Sequence, residues 1–295
     1  MKKLITLTII FNNIFLIKCC FCPKKKNLTN LNNNNNNNNN NEEDDKKNEE
    51  NDKKKELDNL IKNSVDKTRV IKEVERLGEF KTKNNNCSVE MKKGTTIDSA
   101  LFYIKNNPNC RVGILNFANW LSPGRAQEGS IRDATTIDNN LKCKISKEEF
   151  YGKHNSNDEK NANDDIIYSP DVIILQDDSN NKLSDFNNKV DVISCAAPNN
   201  SSKNISDDNL KILHNKRMRK ILDVADKYDV DILILGAFGC GVFCNPAELV
   251  AKEYSEILKD KTKNYKTRFK KIVFAIPDDT NYDPFNKVFN NFTFE

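Results

Sequence analysis

The chain has 295 residues, with 47 Lys and Arg against 43 Asp and Glu and a formal net charge of +4. So small an excess argues for no direct nucleic-acid partner. Hydrophobic residues make up 37 % and charged residues 31 %; the apolar deficit is concentrated in residues 23–56, leaving about 240 residues of ordinary composition after the leader, enough for one sizeable core. These proportions exclude a fully disordered chain, a collagen, a coiled-coil rod and a polytopic membrane protein.

Met1-Lys2-Lys3 precedes an apolar run from Leu4 to Ile17 and then Lys18-Cys19-Cys20. A basic start and a short apolar run read as a secretory signal peptide over residues 1–22, placing the protein in the secretory route or outside the cell, with no stable membrane span once the leader is removed. The alternative is an uncleaved anchor or a buried helix, with a cytoplasmic or nuclear location. Residues 23–56, carrying the Asn32–Asn41 run and dense in Lys, Glu and Asp, read as a disordered Asn/Lys-rich linker, because such a segment buries too little surface to offset chain entropy. Residues 57–295 read as one domain, expected to act as a monomer.

Within that domain, Val70, Ile71, Val74 and Leu77 stand at helical spacing and predict a helix over 65–77. Thr95-Thr96 caps a second helix through Ile104. Val112 to Phe117 is a short buried strand, and Ser130 to Leu141 is mildly helical. Ile166–Tyr168 and Val172–Leu175 read as strands around Ser169-Pro170, and Val190–Ala197 as another. Leu210 to Tyr228 is a long amphipathic helix. The strand Asp231–Leu235 runs into Gly236-Ala237-Phe238-Gly239-Cys240-Gly241; a helix from Pro246 to Lys259 and a strand from Lys271 to Ile276 follow. Apolar strands alternating with helices predict an α/β fold with three α/β/α layers and a mixed, mostly parallel sheet. Ligands of such folds bind beyond the carboxyl ends of the strands, which singles out the loops after Phe117, Ala197 and Leu235.

The nine cysteines include six dispersed ones (Cys87, Cys110, Cys143, Cys195, Cys240, Cys244), and the two histidines are His154 and His214. This supply makes no zinc pattern, so no metal and no cofactor are expected. Gly239-Cys240-Gly241 lies between a strand and a helix, where amide N–H groups and the helix N-terminus can cradle an anion. It has no Lys-Ser/Thr pair and is no Gly-x-Gly-x-x-Gly motif, which disfavours a nucleoside triphosphatase and a nicotinamide dinucleotide fold. A plain tight turn is the competing reading. Phe238 and Phe243 flank the glycines, one suited to pack on a base or ribose and the other to the core. Asn116 and Asn119 put carboxamides at a strand end, where they can bond sugar hydroxyls or simply make a turn.

Taken in order, Leu115-Asn116-Phe117-Ala118-Asn119, Pro123-Gly124, Arg125-Ala126-Gln127-Glu128, Phe150-Tyr151, Ile167 to Val172, Ala196-Ala197-Pro198-Asn199 and Leu235 to Phe243 resemble the microbial-type poly(ADP-ribose) glycohydrolase family, a branch of the macrodomain fold. The resemblance implies a macrodomain-like domain with an ADP-ribose pocket at the strand ends. It implies that Asn119 holds the distal ribose, that Gly239, Cys240 and Gly241 wrap the diphosphate, that Phe243 lies beside the distal ribose, and that Gly124 and Gln127 contribute to binding.

Two departures bear on mechanism. The family carries Pro-Gly-Gly-Gly, a further stretch and then Gln-Glu-Glu; here Pro123-Gly124 runs directly into Arg125-Ala126-Gln127-Glu128-Gly129. The first phosphate loop is therefore shortened, through loss in the lineage or a misassigned exon, and the second Glu of the pair is Gly129. In the family the second Glu is the general acid, a role worth roughly a hundred- to ten-thousand-fold in rate, and the first orients ribose hydroxyls, the position Glu128 keeps. The leading expectation is an ADP-ribose-binding domain, recognising ADP-ribose, poly(ADP-ribose) or ADP-ribosylated protein, with hydrolysis weak or lost. The alternatives are an active glycohydrolase with Glu128 moved into the acid role, and a domain that kept the fold and lost the ligand.

Overall fold

The computed structural model describes residues 37–73, 75, 77, 82, 86–151, 164–202 and 204–294. The expected signal peptide, residues 23–36 of the expected linker, and His154 lie outside the described residues. The chain divides into two units, Met1–Glu50 and Asn51–Glu295, so the larger one begins six residues before the predicted domain boundary.

Helix α1 spans Asn37–Lys67, and residues 37–56 are thus helical where the composition predicted a disordered linker. The reason is local. Glu and Lys, which make up most of residues 42–56, are good helix formers, and exposed pairs one turn apart support the helix, Lys55 with Asp52 at 3.3 Å within this segment and Lys62 with Asp66 at 2.6 Å beyond it, each worth about 0.2–0.5 kcal/mol. At its end, Ser64 and Thr68 are buried and both accept from Asn140 Nδ2, at 2.8 and 2.9 Å.

The predicted helix over 65–77 is also corrected. After Lys67 the chain forms strand β1 (Arg69–Ile71), antiparallel to β4. Val70 and Ile71 enter the cores on opposite faces of the sheet, as period-two alternation demands and helical spacing does not.

The remaining elements are β2 (Ser88–Lys93), α2 (Thr96–Asn106), β3 (Val112–Phe117), α3 (Ala126–Ala134), α4 (Ile137–Leu141), α5 (Lys144–Glu149), β4 (Ile166–Ile173), β5 (Lys189–Cys195), α6 (Asp207–Lys227), β6 (Ile232–Leu235), α7 (Ala247–Leu258), β7 (Lys271–Ile276) and α8 (Asp279–Phe289). The two strands predicted around Ser169-Pro170 are one strand, β4, with a register shift between Ser169 and Val172. Sheet order is β1-β4-β5-β3-β6-β7-β2. β5, β3, β6, β7 and β2 run parallel, and β4 and β1 add antiparallel pairs at one edge.

Both faces of the sheet are covered, which is why its strands read as continuous apolar runs. Leu115, Ile193, Leu233 and Phe274 pack with residues of α6, α7 and α8, among them Met218, Val250 and Phe285. Their chain neighbours Ile114, Val192, Ile234 and Val273 pack on the other face with Ile97, Ile131 and Leu141 of α2, α3 and α4. The result is the predicted three-layer α/β/α fold. Thr95 caps α2 by accepting from Asp98 N at 3.2 Å, Ser206 caps α6 from Asn209 N at 3.4 Å, and Asp278 caps α8 from Asn281 N at 2.9 Å. Among the described residues no helix is long and apolar enough to cross a membrane.

Two buried polar groups on α6 brace the loops above the sheet. Arg217 is 1 % exposed; its Nε donates to Asp164 at 2.8 Å and its Nη1 to the Ala196 carbonyl at 3.0 Å. This ties the end of β5 to the helix beneath. His214 is fully buried, its ring edge-on to Phe238 with 5.9 Å between centroids. Burial pushes its pKa down to about 3, with the neighbouring Asn245 carboxamide opposing and the Arg217 charge adding to the shift.

Because His214 is harder to protonate in the folded than in the unfolded chain, the unfolded state binds more protons below pH ~6.5, and stability falls as pH drops from there toward 3. By pH 4.5 this one group should remove roughly 2–3 kcal/mol. Denaturant unfolding of wild type and His214→Leu between pH 7 and 4.5 checks it: the variant should lack that part of the slope.

Candidate functional site

The carboxyl ends of β3, β6 and β7 open on one cavity of about 550 Å³, within the range of small-molecule sites. Phe117 and Ile276 close strands beneath it, the first turns of α2 (Thr95, Thr96) and α3 (Ala126, Gln127) form one side, and the turn after β6 (Gly239, Gly241, Phe243) the other. Two of the three loops expected at the site are therefore there. The third, after β5, does not line the cavity and acts as a support, through Pro198 O and the Ala197 side chain.

The turn after β6 is fixed from below. Gly239 has φ +77°, and a Cβ there would overlap Asn245 Nδ2 and Ala197 Cβ, so this position requires glycine. Buried Asn245 uses its Nδ2 on Pro198 O at 2.8 Å and on Gly239 O at 3.0 Å, joining the two loops. The Cys240 amide donates within the turn to Ala237 O at 3.1 Å. The Gly241, Val242 and Phe243 amides have no acceptor among the described residues. The Gly239 amide likewise has no acceptor among the described residues, so the open donors include two of the predicted 239–241 set and extend to the two residues beyond it. Cys240 does not line the cavity; its thiol faces the Phe238 carbonyl at 3.9 Å, and burial pushes its pKa up to about 12. Phe238 is the core member of the aromatic pair, fully buried against Phe117 with centroids 5.7 Å apart. Phe243 is the cavity member, packed on Trp120 at 5.1 Å.

The loop after β3 has the opposite character. Glu128 is 1 % exposed and does not line the cavity. Its Oε2 accepts from the Asn119 amide at 3.3 Å and from the Gly124 amide, and its Oε1 accepts from Asn116 Nδ2 at 2.9 Å. Burial raises its pKa, with the Gly124 amide leading the donors that oppose the rise. One helical turn on, Arg132 Nη1 donates to Gly124 O at 2.8 Å and Pro123 O at 3.4 Å while its Nε bonds Asp138. One face of α3 therefore holds both amides and carbonyls of the loop between β3 and α3.

Gln127 lines the cavity with its carboxamide committed elsewhere: Oε1 accepts from Phe117 N at 2.9 Å, and Nε2 donates to Leu115 O at 2.9 Å and Thr96 Oγ1 at 3.1 Å. Asn119 also lines it; its Oδ1 accepts from Leu121 N at 2.9 Å, and no protein acceptor for its Nδ2 is found among the described residues. Gly124 lines the wall, with a Cβ there only 3.0 Å from Glu128 Oε2. At Gly129 an added Cβ meets nothing closer than Arg125 Cβ at 3.9 Å, and Gly129 does not border the cavity.

Arg125, Asp178, Asp278 and Asn281 line the cavity too, and the sequence reading did not single them out. Asp278 and Asn281 were visible in principle as an Asx cap following a strand. Asp178 is bonded by Thr95 Oγ1, and its charge raises the pKa of neighbouring Asp98 beyond what burial alone does. No group of three His, Cys, Asp or Glu able to hold a metal ion occurs among the described residues.

Residues 40–177 match the family model of the microbial-type PARG catalytic domain. The chain is similar in sequence and in fold to the microbial-type poly(ADP-ribose) glycohydrolases. The crystal structure of poly(ADP-ribose) glycohydrolase from Thermomonospora curvata aligns with a TM-score of 0.71 at 25 % identity, over 78 % of this chain and 89 % of that one. The same enzyme bound to the inhibitor ADP-HPD gives 0.69 at 24 %, over 78 % and 88 %. The Deinococcus radiodurans glycohydrolase in complex with ADP-ribose gives 0.69 at 24 %, over 78 % and 96 %. No curated protein sequence matches. The glycine turn at 239–241 lies beyond the matched sequence segment, so its likeness to these glycohydrolases rests on the fold.

The two loop glycines should respond differently to a methyl group. Gly239→Ala, overlapping Asn245 and Ala197, should cost about 1–3 kcal/mol, whereas Gly241→Ala, with nothing within 4 Å of its Cβ, should stay within about 0.5 kcal/mol of wild type. Denaturant midpoints of the two variants make the comparison.

Proposed function

We propose that this protein binds ADP-ribose, free or attached to protein or polymer, in the cavity at the carboxyl ends of β3, β6 and β7, and that it hydrolyses the glycosidic linkage weakly or not at all. The open amides of Gly241 to Phe243 suit a pyrophosphate, the free Nδ2 of Asn119 suits a ribose hydroxyl, and Phe243 offers an aromatic face. A structural neighbour is described in complex with ADP-ribose and another with ADP-HPD.

The observation that carries the loss of hydrolysis is the placement of Glu128. A general acid must reach the leaving oxygen, directly or through one water. This carboxyl is buried, turned away from the cavity and satisfied by three donors, and position 129 supplies no carboxylate. The raised Glu128 pKa is what an acid catalyst needs, and this keeps an active glycohydrolase as the second reading.

Calorimetric titration with ADP-ribose and incubation with end-labelled poly(ADP-ribose) separate the readings. The proposal expects saturable binding, with Kd on the order of micromolar, and no release of label above the buffer rate. Rapid release that disappears in Glu128→Gln would establish the second reading, and absence of binding at high micromolar protein would refute the first.

A further inference from the structure

We infer that Arg125 supplies the counter-charge for the pyrophosphate, in place of the amides of the shortened first loop; this rests on the ADP-ribose reading above. Arg125 is the one basic side chain among the described residues that line the cavity, and it is exposed. The other described arginines, Arg69, Arg111, Arg132, Arg217, Arg219 and Arg268, each bond a carboxylate or a carbonyl of the protein. The Arg125 guanidinium bonds neither among the described residues.

Its position makes that freedom costly. Arg125 is the N-cap of α3 and makes no side-chain capping bond, so a cation sits at the end of a helix where the dipole favours an anion. A ligand anion relieves this repulsion.

The distribution of donors points the same way. In the first loop the Asn119 and Gly124 amides are directed at Glu128 and the Leu121 amide at Asn119, so these donors are turned onto the protein itself. Across the cavity, the Gly241 to Phe243 amides are open but carry no full charge. The cavity's carboxylates, Asp178 and Asp278, belong to the walls formed with Thr95 and Asn281. A doubly anionic pyrophosphate is therefore best placed between Arg125 and the 241–243 turn, where the planar guanidinium can donate two bonds to phosphate oxygens.

The test compares the full chain with Arg125→Gln and Arg125→Lys by calorimetric titration with ADP-ribose at two salt concentrations. All three proteins should melt within about 2 °C of one another, because the side chain is exposed and unpaired. Arg125→Gln should bind roughly tenfold to a hundredfold more weakly, with a shallower salt dependence, and Arg125→Lys should recover part of the loss, since charge remains and the bidentate geometry does not. Wild type binding ADP-ribose while Arg125→Gln stays within twofold, or equal salt slopes for the two, would overturn the role of Arg125 and leave the binding reading intact. A wild type that takes up no ADP-ribose removes the binding reading, and the role of Arg125 with it.

Discussion

A buried carboxylate on the first turn of α3 shapes the whole upper end of this molecule. Glu128 has almost no contact with water, and a charge so placed persists only with donors around it. It finds them in the Asn116 carboxamide and in the Asn119 and Gly124 amides. Arg132, four residues further on the same helix, takes the carbonyls of Pro123 and Gly124. The short connection between β3 and α3 is thereby folded down onto its own helix, and its polar groups serve cohesion ahead of recognition.

That arrangement makes the cavity asymmetric. On the β6 side, Asn245 and the positive φ of Gly239 hold a turn whose amides at 241–243 stay open. On the β3 side, the Asn119 and Gly124 amides are engaged by Glu128, and the residues facing the cavity include Asn119, Gly124, Gln127 and the Arg125 guanidinium, which has no partner among the described residues. Beneath both, Arg217 and His214 on α6 brace the loop after β5 and the Phe238 ring. In a fold similar to that of the bacterial glycohydrolases, the Glu128 carboxyl is thus used to hold a loop.

Much of this was legible in the residues. The runs at 112–117 and 271–276 match β3 and β7 end for end, because strands buried on both faces have no other way to read. The helices α6 and α7 followed from their apolar stripes. The elements that escaped are those at the margins. β2 alternates Val89 and Met91 with Glu90 and Lys92 at a half-exposed edge, and α8 hides behind Asn281 and Pro284, although Phe285 and Phe289 pack on Phe274. β1 reads as helix in the sequence because two adjacent apolar residues, Val70 and Ile71, fit either period until their faces are known.

The site was legible to the same degree. Asn119, the glycine turn and Phe243 carry local signals, and all three meet at the cavity. Arg125, Asp178 and Asp278 reach it from separate elements, and only the crossover topology brings them together. The burial of Glu128 had no sequence signal at all, since its partners are backbone amides of a loop whose path depends on the carboxylate itself. A crystal structure of the protein soaked with ADP-ribose tests this account most directly. It should show the pyrophosphate against residues 241–243, with Glu128 still bonded to the Asn119 and Gly124 amides. A Glu128 carboxyl swung into the cavity and bonded to the ribose, with those amides released, would contradict it.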